Sequence, residues 1–237
     1  MPRNGPRQLT LSAAHVARIM RVVEDSGTPP GVSPQTDADY AAWVERMMRL
    51  NPNQDQPTQL FAYGSLIWKP EIEHVGERPG TAHGWHRSFC FRMPRFRGTP
   101  DKPGLMMALD RGGSCKGVLY ELPHGNPALQ FDRLFRREFT MKPINSMPAW
   151  IRVKTGEKIV PALTFVMNRA SPLYVGGLTS EDVAEILSNA CGHWGTGAEY
   201  LLNTVTSLEA KGIHDRNLWL LQRLVAEKID QAAQSAS

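Results

Sequence analysis

From Gln59 to Met167 the chain is broken into six short β-rich runs, QLFAY, SFCFRM, LMMALD, GVLYEL, AWIRVK and VPALTFVM. Turn signals such as RPG, RGTPDKPG and DRGGS separate them, and strands so closely spaced predict an antiparallel or mixed barrel-like sheet. One helix, from about Pro127 to Phe139, interrupts the series.

Helices flank this region. In Ser12–Asp25 the apolar Val16, Ile19, Met20 and Val23 recur at helical spacing, and the Pro/Gly/Ser linker SGTPPGVSPQTD follows. DADYAAWVERMMRL predicts a second helix with Tyr40, Trp43, Val44 and Met47 on one face and Asp37 or Asp39 as cap, before NPNQDQP breaks the chain. After Leu178, TSEDVAEILSNACG opens with a Ser/Thr cap and closes at Gly192, and TGAEYLLNTVTSLEAKG opens with Thr196 and Glu199 at capping-box spacing and closes at Gly212. A last helix follows the N-cap Asp215. The order helix, strands, helices gives an α+β class: a small mixed β-barrel with flanking helices, residues 57–237, behind a helical extension with linkers, residues 1–56.

With 237 residues, 41% of them apolar, the chain can bury a full core. Its net charge of +4 is scattered, with no run of five or six Lys or Arg, which argues against nucleic acid and suits a small anionic ligand. The three cysteines, Cys90, Cys115 and Cys191, are far apart and form neither a disulfide framework nor a CxxC motif. No window approaches the ~18 uninterrupted apolar residues of a membrane span, and no apolar segment follows the basic start, so a cytoplasmic protein is expected, with no membrane partner.

Two stretches point to chemistry. In FAYGSLIW a strand ends in two small residues, Gly64-Ser65. That is either a plain strand-ending turn or a nest of backbone N–H groups able to hold an anion. It is not a P-loop and not GxGxxG. In ALQFDRLFRREFT, Phe131, Leu134 and Phe135 form the inward stripe of a helix, and Glu138 falls four after Leu134 and three after Phe135. The carboxylate is then either solvated at the helix end or partly desolvated, the second being the environment of a general base near neutral pH. Arg136 and Arg137 are expected to point mostly outward. His83 and His86 should lie on opposite faces of a strand, without partners at metal spacing, so no metal is expected. Cys115 reads as a packed thiol, and Ser65 lacks a GxSxG elbow.

FAYGSLIWKP, GWHRSFC, RGTPDKPGLMMALDRGGSCKGVLYELP, LFRREF, SPLYVG and AEYLLNTV, in this order and spacing, resemble the ChaC family of glutathione-specific gamma-glutamylcyclotransferases from about Leu60 to Asp215. The resemblance implies a gamma-glutamylcyclotransferase-like fold, conversion of glutathione to 5-oxoproline and cysteinylglycine, and no cofactor. It implies that Tyr63, Gly64, Ser65 and Leu66 hold the gamma-glutamyl group, that Glu138 is the catalytic acid/base, and that Tyr174 belongs to the substrate pocket. Arg87, Arg95 and Arg97 are candidates for the substrate carboxylates. FTMKP stands after Glu138 where many relatives carry GGY. Other gamma-glutamyl amino acids or amines as substrates, or a non-catalytic module for small anionic peptides, are the competing readings. Oligomeric state is not specified by the sequence.

Overall fold

The structure, a computed structural model, describes residues 8–235. In chain order it carries α1 (Ala13–Ile19), β1 (Ser33–Pro34), α2 (Asp37–Arg49), β2 (Gln59–Ala62), α3 (Ser65–Trp68), β3 (Gly76–Met93) and β4 (Gly104–Glu121). Next come α4 (Pro127–Glu138), β5 (Met141–Lys142), β6 (Ser146–Thr155) and β7 (Lys158–Met167). The chain ends with α5 (Ser180–Asn189), β8 (Cys191–Gly192), β9 (Gly195–Thr196), α6 (Gly197–Ala210) and α7 (Arg216–Ser235). Two compact units divide it: Gly27–Phe91 with Met107–Val175, and the remainder up to Ser26, Arg92–Met106 and from Gly176 onward.

In the first unit β2, β4, β3, β6 and β7, in that order, close a barrel. β2 pairs antiparallel with β4, from Gln59 opposite Glu121 to Ala62 opposite Val118, and parallel with β7 at Leu60 and Leu163. β6 and β7 form a long hairpin, Ser146 opposite Met167 through Thr155 opposite Lys158. The sheet is therefore mixed, and closure leaves its main strands without a free edge. Leu60, Leu119, Leu163 and Phe165 are all but inaccessible, and α4, capped by Asn126 and opened by Pro127, lays Phe131, Leu134 and Phe135 inward. Each such buried side chain contributes about 1.5–3 kcal/mol, so this apolar cluster anchors the helix that ends in Glu138.

Two turn signals do not turn. LMMALD and GVLYEL are one strand, β4, because Gly112 and Gly113 adopt φ of +107° and +65° and carry the chain through DRGGS within the strand. RPG lies inside β3 for another reason: a Cβ on Gly80 would sit 2.7 Å from Val153 and 3.0 Å from Leu119, so the glycine serves close packing. The same holds for Gly117, where a Cβ would lie 2.4 Å from the Ala62 carbonyl oxygen, just before the chain enters Tyr63-Gly64.

Residues from Gly27 to Gln56 fall in this unit as well. The cap of α2 is Thr36, not Asp37 or Asp39; Asp39 completes the box by accepting from the Thr36 N–H at 2.8 Å. Tyr40 and Met47 are buried, and Trp150 Nε1 donates to the Met47 carbonyl at 3.0 Å.

The second unit is helical, with α5, α6 and α1 packed on α7. Gly212 (φ +71°) ends α6 with Ile213 N–H on the Leu208 carbonyl, and Asp215 caps α7 through the N–H groups of Asn217 and Leu218. α1 stops at Ile19, short of Asp25, because Met20 turns extended and Arg21 is drawn into contacts with Asn189 and Cys191. α5 stops at Asn189, since Cys191 and Gly192 instead pair with Thr196 and Gly195.

Candidate active site

β2 delivers Tyr63, and the backbone then turns at Gly64 into the single turn of α3. Tyr63, Gly64 and Leu66 are buried, while Ser65 is partly exposed. Ile67 N–H bonds the Gly64 carbonyl at 2.9 Å and Lys69 N–H the Ser65 carbonyl at 2.8 Å, so the N–H groups of Ser65 and Leu66 have no intrahelical acceptor. The loop is held from below by Arg87. Its Nε donates to the Tyr63 carbonyl at 2.6 Å and its Nη2 to the Lys116 carbonyl. Arg87 thus fixes the loop with donors that were expected to meet substrate.

Glu138 closes the inward face of α4, as its spacing predicted, with 15% of its side chain exposed. Burial pushes its carboxyl up to about 6, against the opposing influence of Arg137, with the nearby Glu71 adding to the rise. Arg137 does not point outward. It donates to Glu138 Oε1 at 2.5 Å, to Glu71 Oε2 at 3.0 Å and to the Lys69 carbonyl. A cation satisfying three acceptors in this way is drawn across the helix end rather than into water. Arg136 does face outward, paired with Asp132 and Asp37.

Through Arg137 the carboxylate of Glu138 is tied to Lys69, the residue that ends α3, and to Glu71, two residues beyond it. Glu71 reaches this position from φ +48°, uncommon for a glutamate, and its carboxyl is held below the ordinary value by Lys69 and Arg137. The arrangement joins the turn at Gly64-Ser65 to a carboxyl of raised proton affinity.

Tyr174 belongs to a network of its own. Its hydroxyl donates to Asp110 Oδ2 at 3.1 Å, Arg169 Nε donates to Asp110 Oδ1 at 2.7 Å, and Tyr174 packs with Phe91 on Cys90, Ala108 and Met167. Burial would raise the Asp110 carboxyl, but the bonds from Arg169, the Arg111 N–H and Tyr174 together hold it below its ordinary value. Tyr174 itself is shifted up by burial and by this bond to Asp110. The sequence carried no signal for Asp110 and Arg169, which meet only when β4 and the segment after β7 fold together.

The remaining candidates have other work. Arg95 forms a two-bond pair with Asp25 and Arg97 bonds Glu199 and the Thr196 carbonyl, both within the helical unit. Cys115 is buried and its thiol donates to the Lys116 carbonyl at 3.8 Å. His86 bonds the Gly112 carbonyl, and Gly84 (φ +80°) breaks the alternation between His83 and His86.

A family model described as ChaC-like protein matches residues 58–228. The glutathione-specific gamma-glutamylcyclotransferase of Escherichia coli K12 is 34% identical over 179 residues, covering 75% of this chain and 76% of that protein. Glutathione-specific gamma-glutamylcyclotransferase 1 of Mus musculus is 28% identical over 196 residues, covering 79% and 82%. A solved yeast gamma-glutamyl cyclotransferase specific to glutathione superposes with a TM-score of 0.64 at 19% identity, covering 73% of this chain and 97% of that one, a likeness of fold.

Proposed function

The chain belongs to the ChaC-like family, and on that footing we propose that it converts glutathione to 5-oxoproline and cysteinylglycine, with Glu138 carrying the proton. The observation that carries this reading is the Glu138 carboxyl, raised to about 6 and tied through Arg137 to the turn that follows YGSL.

The substrate supplies its own nucleophile. Its α-amine attacks the γ-carbonyl carbon, a five-membered ring closes through a tetrahedral oxyanion, and the bond to the cysteinyl nitrogen breaks. The attacking nitrogen loses two protons in passing from ammonium to lactam N–H, and the leaving nitrogen gains two in becoming ammonium, so no external acid or base is consumed. Glu138, mostly ionised near pH 7, takes a proton from the α-ammonium and returns it to the leaving nitrogen, a role worth about 10²–10⁴ in rate. Folding the substrate so that amine and carbonyl meet contributes more, about 7–11 kcal/mol in well-oriented ring closures.

The N–H groups of Ser65 and Leu66 grip the gamma-glutamyl end, at its α-carboxylate or at the developing oxyanion. Tyr63, Gly64 and Leu66 shape that end of the pocket, and Tyr174, oriented by Asp110, contributes to its wall. The reaction needs no cofactor in this scheme. A cytoplasmic setting accords with three buried cysteines that form no disulfide among the described residues, and no helix among those residues is long and apolar enough to cross a membrane. The scattered charge gives no footing for nucleic acid.

The test is incubation of purified protein with reduced glutathione or with free gamma-glutamyl amino acids, followed by mass spectrometry of the products. 5-Oxoproline and cysteinylglycine in equal amounts from glutathione, with little release from the amino acid derivatives, is the expected result. Release from the derivatives alone would transfer the reading to another gamma-glutamyl substrate, and no release from any would leave a binding module.

A further inference from the structure

The four residues that follow Glu138 are each held by the segment that precedes the ChaC-like region. Tyr40, buried on α2, donates its hydroxyl to the Phe139 carbonyl at 3.2 Å, and its ring lies 6.0 Å from that of Phe139. Trp43 packs on the same ring at 6.1 Å. Gln35 N–H donates to the Thr140 carbonyl at 2.9 Å. β1 pairs with β5, Pro34 opposite Met141 and Ser33 opposite Lys142, and the Lys142 ammonium meets Asp39 Oδ2 at 2.6 Å. One stretch, residues 33–43, therefore engages Phe139, Thr140, Met141 and Lys142 in turn, and all of it lies before residue 58, where the family match begins.

Phe139 is also the C-cap of α4: its N–H bonds the Phe135 carbonyl while its backbone leaves the helix extended. Phe139, the residue next to Glu138, is thus pinned at its N–H by α4 and at its carbonyl by Tyr40 of α2. On the basis of the role proposed above for Glu138, we propose that residues 33–43 act as a positioning clamp, with Tyr40 as the principal positioning residue, that sets the Glu138 carboxylate in its proton-transfer geometry. After the acid this chain places FTMKP, whose bulky apolar first residue meets the rings of Tyr40 and Trp43.

The proposal makes a demand on pH dependence. Glu138 is faced by Arg137 on its own helix and by Glu71 from the segment after α3, with the Lys69 ammonium engaged by Glu71. The charged groups that α2 brings to this region, Asp37 and Asp39, are engaged by Arg136 and Lys142. Loosening the clamp leaves the partners around Glu138 in place and admits water to its carboxyl, which lowers its proton affinity toward that of an ordinary glutamate.

Tyr40→Phe deletes the hydroxyl and keeps the ring, and Lys142→Met removes the ion pair from a partly exposed site, so both variants should fold. The double variant is expected to lose about tenfold in kcat with KM for glutathione kept within about twofold, and the acidic limb of kcat/KM should move to lower pH. Glu45→Ala, on the exposed face of α2, should change neither. A fold-only role would lower thermal stability without moving the limb. Wild-type kcat and an unmoved limb in the double variant, with Glu138→Gln inactive, would overturn the clamp alone. Wild-type turnover by Glu138→Gln would overturn both the clamp and the role of Glu138 on which it rests.

Discussion

Replacing Glu138 with glutamine should stabilise the protein above pH 6 while disabling it. The carboxyl titrates at about 6 in the folded chain against an ordinary 4.5, so the folded state holds that proton more tightly than the unfolded state does. Below about pH 4.5 the group is protonated in both states and its burial costs nothing electrostatically. Above pH 6 it is ionised in both, and a difference of about 1.5 in pKa then corresponds to about 2 kcal/mol of lost stability. Glutamine mimics the protonated form in shape and charge, so it escapes that cost. The variant is expected to exceed wild type by about 2 kcal/mol at pH 8, equivalent to about 4–8 °C in Tm for a chain of this size. The gap should shrink as the pH falls through 6 and vanish by about 4.5. Urea or thermal unfolding followed by circular dichroism at pH 8, 6 and 4.5 reads it directly. A variant less stable than wild type at pH 8, or a gap that ignores pH, would show that Glu138 is not a desolvated carboxylate.

Arg137 opposes the rise at Glu138, so Arg137→Gln should raise the carboxyl further, by about one pK unit or more, and move the acidic limb of kcat/KM from near 6 to about 7. Activity at pH 6 would fall about fivefold with near parity at pH 8; an unmoved limb, or one displaced to lower pH, would refute the pairing. Arg87→Met strips the donors from the Tyr63 and Lys116 carbonyls, and should cost about 2 kcal/mol or more of stability and raise KM for glutathione, read by denaturation and steady-state kinetics. Unchanged KM in a folded Arg87→Met protein would show that the YGSL turn keeps its shape without it.

Much of this was legible from spacing. The stripe Phe131, Leu134, Phe135 placed Glu138 on the inward face of α4 because helical periodicity fixes which side chains share a face. The abrupt run of small residues after QLFAY marked the turn at Gly64. What could not be read depends on partners distant in sequence. Arg137 was expected in water because nothing local tells it of the Lys69 carbonyl or Glu71, and Arg87 was offered to substrate because the Tyr63 carbonyl it holds arrives from another strand. DRGGS and RPG read as turns because glycine signals equally a turn, an irregular strand and a close approach of two strands, and only the fold distinguishes them. The grip of residues 33–43 on Phe139 to Lys142 is of the same kind, since β1 and β5 are two residues long and carry no periodicity at all.

The most direct measurement is the rate of 5-oxoproline formation from glutathione by wild type and by Glu138→Gln, at saturating substrate and pH 7.5, with the fold of each checked by circular dichroism. A folded variant slowed by about 10²–10⁴ with 5-oxoproline and cysteinylglycine released one to one by wild type is the predicted result. A folded variant that turns over at the wild-type rate would contradict the assignment of Glu138 as the proton carrier.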